Sequence, residues 1–500
     1  MTSTTSLREQ QVTCPPPART HRRRLRSMAT YGGLAMRAEP NHWSRLLGAV
    51  SASCLAVLVV TGVLLLVHYD PSSEVVTYSG TYLPLRRVPV SAAYASTVHL
   101  SLEVRGGMLL RQTHHWAALV LPASLMLQLA TRFFTGAFRR PYRLAWVLLA
   151  TTFVLALAGG WSGYDLPDDM LSGTGLRIFE GILVGTPFVG SRLTALVFGG
   201  EFPGDIVPRL FWLHVLVVPV LLAAVLVARY VVARRRRPPQ LPGPGRRESN
   251  VVGPPWPAAA ARRAGMFLVT AGVLVVMGGT LTVAPIWLYG PFSPESASAG
   301  SQPDWYTSWL DGALRLAPSS WDVSWLGGTL PLAVLVPELV AAVFLGVVVL
   351  YPLLEQWVTR DRGEHHVLDR PRNRPRRTGL GVAGFTFFGL LWLSGSTDIV
   401  ATTFHVGFET QVLVLRVLLV AAPVLGYIVT VGLCRALQAR DREAVEHGVP
   451  TGRMMRSAEG RYWEPHVPLR PEARGRIGAA AQEERASRQS SVIRPRSSRR

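Results

Sequence analysis

The chain has 500 residues, 49% of them hydrophobic, and its formal charge of +21 rests on arginine alone, because no lysine occurs. Several apolar runs can cross about 30 Å of hydrocarbon at about 1.5 Å per residue, which excludes a soluble protein and makes this a polytopic membrane protein. The arginines lie in tails and loops rather than along a groove, which argues against nucleic-acid binding, and Cys14, Cys54 and Cys434, with no CxxC or CxxCH among them, argue against disulfide scaffolding, iron–sulfur ligation and c-type haem attachment.

In chain order, residues 1–45 read as a basic cytoplasmic tail, because no small-residue cleavage pattern follows the first apolar run. Apolar segments then appear at about 46–68, 113–134, 143–160, 209–233, 264–287, 330–354, 379–396 and 411–436, which gives eight candidate transmembrane helices. The loops 135–142, 234–263 and 355–378 are arginine-rich, so the positive-inside rule puts them and both termini in the cytoplasm. The opposite loops, 69–112, 161–208 and 288–329, carry the acidic residues and face outward. The segment 238–263, with PPQLPGPGRR and VVGPPWP, has the composition of a mobile linker between two four-helix halves, 46–237 and 264–436. The basic stretch 437–500 is too poor in apolar residues to build a core and is expected to be disordered or to lie on anionic headgroups. The expected fold class is therefore an all-α membrane protein with eight transmembrane helices.

Ionisable groups inside a membrane are functional candidates by default. His114 and His115 open the second apolar run at its outer end, and His214 lies near the outer start of the fourth. Two histidines at matched depth on neighbouring helices can clamp a haem iron from both faces; each alone could equally cap a helix end.

Six blocks decide between those readings: RGGMLLRQTHHWAA (105–118), RFFTGAFRRP (132–141), GYDLPDDMLSGTGLR (163–177), FGGEFPGDIVPRL (198–210), PDWYTSWLDGALRL (303–316) and RDREAVEHGVPTG (440–452). In this order they resemble the cytochrome b subunit of the quinol–cytochrome c reductases, the cytochrome bc complexes, most closely the actinobacterial form, from about His42 to Pro468. The resemblance implies an N-terminal four-helix bundle holding two stacked b haems on four histidines. Within it His114 and His214 match the outer ligands, whereas the inner positions hold Gln128, 14 residues on from His114, and Ala228 or Arg229, of which Arg229 fits the actinobacterial spacing. Glutamine is a poor iron ligand and arginine cannot be deprotonated to become one, so one outer haem is expected and the inner one is not. Gly48 and Gly62 would let a helix backbone approach the macrocycles, and Arg111 would neutralise a propionate. PDWY at 303–306 is similar to the motif lining the family's outer quinol site, with Asp304 as proton acceptor, Tyr306 as its hydrogen-bonding partner, Pro303 stiffening the turn and Trp305 packing on the pocket. The helix over 163–177 would form the opposite wall.

The implied activity is oxidation of menaquinol or ubiquinol, with one electron passed to a Rieske iron–sulfur partner and the other through b haem, in a complex that also holds a cytochrome c subunit. A homodimer in the cell membrane is implied too. Two alternatives stand beside it: a divergent paralogue with the outer haem alone and no bifurcated quinone cycle, and a non-redox membrane scaffold.

Overall fold

The computed structural model describes residues 38–296, 303–325 and 328–470. Its framework is a set of long apolar helices: α1 (Leu47–Leu65), α2 (Gly107–Thr135), α3 (Arg143–Tyr164), α4 (Ile206–Arg235), α5 (Trp256–Thr280), α6 (Leu332–Thr359), α7 (Pro375–Ser394) and α8 (Phe408–His447). Seven are long and apolar enough to cross a membrane unaided; α7 makes the eighth when joined to Thr397–Phe404 across a 60° bend. The bend falls at Gly395, where a Cβ would strike the carbonyl of Ser308 on the short helix Ser308–Leu316.

Helix α2 begins at Gly107, so His114 sits two turns inside the helix and not at its opening. The apolar run hides this start because Arg111, Gln112 and Thr113 are polar yet buried. They turn toward the chain after α5: Arg111 donates to the carbonyl of Ala284 at 2.7 Å, and Gln112 both donates to Val283 O at 2.9 Å and accepts from Val283 N at 2.7 Å. At the other end α8 runs past the apolar stretch to His447, where its polar turns are held by Arg372, which pairs with Asp441 at 2.8 Å.

Apolar packing of α1, α2, α3 and α5 forms the main core around Cys54, Ala117, Leu121, Leu125, Leu149 and Leu274, all buried. Trp146 of α3 closes it against α6 by donating to Val348 O at 2.7 Å. Helix α5, on the far side of the proline-rich segment, thus packs on α1 and α2. That segment is itself tied down: Gln240 is buried, its backbone N–H donates to His366 O at 3.0 Å and its amide to Asn250 O at 2.8 Å.

Helix α4 leans on α3 and makes no extensive backbone packing with α1 or α2 among the described residues. A space therefore remains between α2 and α4 that side chains must bridge. A short hairpin (Val75–Thr77 with Pro89–Ser91) and the helices Ala92–Leu102, Met170–Val184 and Gly190–Phe198 cover one end of it. The surface helix expected over 163–177 is shifted: α3 continues to Tyr164, and the next helix starts at Met170 because Asp169 and Ser172 form a reciprocal cap.

Candidate functional site

His114 from α2 and His214 from α4 face each other across this space, with ring centroids 6.2 Å apart and planes at 64°. Helix α4 reaches that position through a π-helical stretch, Leu213–Val217. Its local cause is Pro219, which has no N–H to give and whose ring crowds the carbonyl four residues back, so the ladder there widens by one residue.

Each imidazole is held by one nitrogen. The Thr61 hydroxyl, on α1, is spent on Val57 O at 2.6 Å and can only accept from His114 Nδ1, 2.8 Å away. His214 Nδ1 lies 2.9 Å from Gly159 O, a carbonyl that can only accept. Both rings therefore carry their proton on Nδ1 and present the Nε2 lone pair, which makes no hydrogen bond among the described residues. This is the tautomer of a metal-ligating histidine with an anchored second nitrogen. With metal–nitrogen bonds of about 2.0 Å, the centroids of two imidazoles on opposite faces of one iron stand on the order of 6 Å apart, so this pair fits a haem.

Small residues make room for it. A Cβ on Gly62 would stand 3.3 Å from His114 Cε1, and one on Gly163 would stand 2.5 Å from His214 Cε1. Gly160 admits the Tyr306 ring in the same way. Gly48, by contrast, is exposed and meets nothing. The AGGWSG run at 158–163 escaped the sequence reading, although three glycines in an apolar helix are a sign of close approach. Arg111 is buried, with its Nε unpartnered and its guanidinium carbon 5.9 Å from the Trp287 ring.

PDWY is folded onto the same helix. Asp304 Oδ1 lies 3.0 Å from Nε2 of His115, and Tyr306 donates to Asp304 Oδ2 at 2.7 Å. Trp305 donates to Leu119 O of α2 at 3.2 Å, and Pro303 leads into the turn. His115, given no role from sequence, is thus the residue that joins the carboxylate to the helix that carries His114. Both side chains of the His115–Asp304 pair are largely buried. Burial first, then the Asp304 carboxylate, hold the Tyr306 phenol well above its usual range, so it remains a donor. Asp165, just past the end of α3, is 1% exposed; burial, with Asp169 and Asp304 nearby, pushes its carboxyl well above the usual range.

The level of Gln128 is built differently. Gln128 donates to Ser51 Oγ on α1 at 2.7 Å, Ser51 Oγ lies 2.6 Å from Ser124 Oγ, and both residues are buried. Arg229 donates to Thr152 Oγ1 on α3 at 3.2 Å. An amide engaged with a hydroxyl and a guanidinium offer no lone pair suited to iron, so a haem does not fit here.

A family described as cytochrome b (N-terminal)/b6/petB matches residues 119–291. The cytochrome bc1 complex cytochrome b subunit of Streptomyces coelicolor is 40% identical over 435 residues, covering 87% of this chain and 80% of that protein. The subunits of the same name from Mycobacterium leprae and Mycobacterium tuberculosis (strain H37Rv) are each 43% identical over 435 residues, 86% of this chain and 79% of theirs. Among solved structures, a hyperthermophilic respiratory Complex III superposes with a TM-score of 0.56 at 18% identity, covering 82% of this chain and 97% of that one, a likeness of fold.

Proposed function

The chain belongs to the cytochrome b family of cytochrome bc1 complexes, whose work is respiratory electron transfer, and we propose that its own part is oxidation of menaquinol or ubiquinol beside a single b haem. The observation that carries this reading is the Asp304 carboxylate, held between His115 and Tyr306 one residue along α2 from His114.

His114 and His214 would hold the haem iron through Nε2, while Thr61 and Gly159 fix the rings through Nδ1. A b haem on this pair supplies one-electron redox chemistry close to the quinol. A quinol releases two protons as it is oxidised, and Asp304 is the group placed to take one. Its two oxygens each accept one hydrogen bond and keep a lone pair for a quinol hydroxyl. Tyr306 orients the carboxylate, and Trp305 braces the turn on α2. Membership in the family implies a Rieske iron–sulfur subunit and a cytochrome c subunit as partners, with the histidine end of the bundle facing outward and both termini cytoplasmic.

A complete quinone cycle needs a second carrier roughly 20 Å further in, at 14 residues of about 1.5 Å. Gln128 and Arg229 favour the single-haem reading over the full cycle. A reduced-minus-oxidised spectrum of the purified complex, with haem quantified per chain, tests it. One b haem that disappears in His114→Ala and in His214→Ala is expected. Two haems per chain would restore the full cycle, and colourless protein would leave only a scaffold.

A further inference from the structure

Helices α1 to α4 contain no aspartate or glutamate, yet two arginines lie inside them at the Gln128 end: Arg132, one turn beyond Gln128 on α2, and Arg229 on α4. Both lay their guanidinium against α3, at points two turns apart on one face. Arg132 donates to Ala145 O at 3.4 Å, and Arg229 to Thr152 Oγ1 at 3.2 Å. A guanidinium has five N–H donors, and among the described residues each of these makes one such bond and no ion pair. The charges that act on Arg132 are those of Arg229 and Arg45, both of its own sign. Both residues are of intermediate exposure.

Two like charges in a low-dielectric bundle are costly unless an anion joins them. The bundle has none to give, so the counter-charge comes from outside it. Arg132 lies three residues from the end of α2 and Arg229 six from the end of α4, or about 5 and 9 Å inside the helix ends, which is the depth of headgroup phosphates. Planar guanidiniums pair with phosphate through two parallel hydrogen bonds, and two of them can share one phosphate.

We propose that Arg132 and Arg229 form a phosphate-binding site between α2, α3 and α4, in the space that an inner haem would otherwise take, occupied by the headgroup phosphate of an anionic phospholipid or by free phosphate. The inference rests on the single-haem reading, since the carboxylates of an inner haem would supply the same counter-charge.

The test is native mass spectrometry of the complex, purified in detergent and titrated with phosphatidylglycerol or with inorganic phosphate, alongside the haem count. The wild-type chain should retain one phosphatidylglycerol that Arg132→Gln/Arg229→Gln binds at least about tenfold more weakly. Arg132→Lys/Arg229→Lys should recover part of the affinity, because lysine keeps the charge and loses the bidentate fork. Arginine-dependent binding of inorganic phosphate that displaces the lipid identifies free phosphate as the occupant; lipid retained against millimolar phosphate identifies the headgroup. Undiminished outer-haem absorbance shows that each variant is folded, and where the double glutamine variant loses it, Arg229→Lys alone is read. Equal binding of both probes by folded wild-type and variant chains, with one haem per chain, overturns the site alone. Two haems per chain overturn the single-haem reading and this inference with it.

Discussion

His114 and His115 are neighbours in sequence that serve different partners, because successive residues on an α-helix point about 100° apart. One ring faces His214 and the other meets Asp304. That split lets a single turn of α2 serve both an iron site and a carboxylate. Asp304→Asn keeps the size of the side chain and removes its ability to take a proton, so quinol oxidation by the complex should fall on the order of 10²-fold while the haem spectrum is unchanged. Steady-state assays with a reduced quinone, read beside the spectrum, check this; loss of haem together with activity would mean that Asp304 acts through structure. The candidate histidines were legible in the sequence because their residue type is rare in apolar helices, and the PDWY carboxylate because its block resembles a family motif. The role of His115 was not, since it depends on which way a loop nearly 190 positions away folds back.

At the scale of elements, α3 is the wall against which the site is built. Its Gly159 carbonyl holds His214, its Gly160 admits Tyr306, and its Gly163 lies flat against the His214 ring. Gly163→Ala should therefore displace the ring and lower haem content severalfold, whereas Gly48→Ala, with nothing within 4 Å, should leave it unchanged. Haem per chain from the absorbance spectrum separates the two, and equal losses would deny α3 its special part. The sequence drew attention to Gly48 and Gly62, a pair 14 residues apart, and the structure places only Gly62 against a histidine. Spacing along one helix reports depth, but it says nothing of what stands opposite.

For the whole molecule, the join between the α2–α3 turn and the approach to α7 is a buried ion cluster. Asp369 pairs with Arg139 at 2.8 Å, Arg377 at 2.8 Å and Arg374 at 3.2 Å, and its backbone N–H donates to Thr135 O at 3.0 Å. Burial alone would raise the Asp369 carboxyl, but the three guanidiniums outweigh it and hold the group below the usual carboxylate range. A depressed carboxylate stabilises the fold above its unfolded value near 3.8, and that stability is lost as pH falls through the lower folded value. Asp369→Asn leaves the buried Arg139 and Arg377 without their carboxylate and should cost about 3–5 kcal/mol at neutral pH. A lower thermal midpoint of the purified complex at pH 7, with the gap to wild type closing at strongly acidic pH, is the expected result; an unchanged midpoint at pH 7 would make the cluster ornamental.

Sequence by itself determined the apolar spans and which residue types stand at which depth, two histidines at one level and Gln128 and Arg229 at the next, because each depends on residue type and distance along a helix; PDWY was singled out by its resemblance to a family motif. Only the tertiary structure decided which nitrogen of each histidine is free, that α3 supplies the glycine wall, that His115 holds Asp304, and that Arg132 and Arg229 both lie against α3 with no ion pair among the described residues. Those facts depend on how separate helices are rotated against one another, and no one-dimensional period encodes a rotation between two helices.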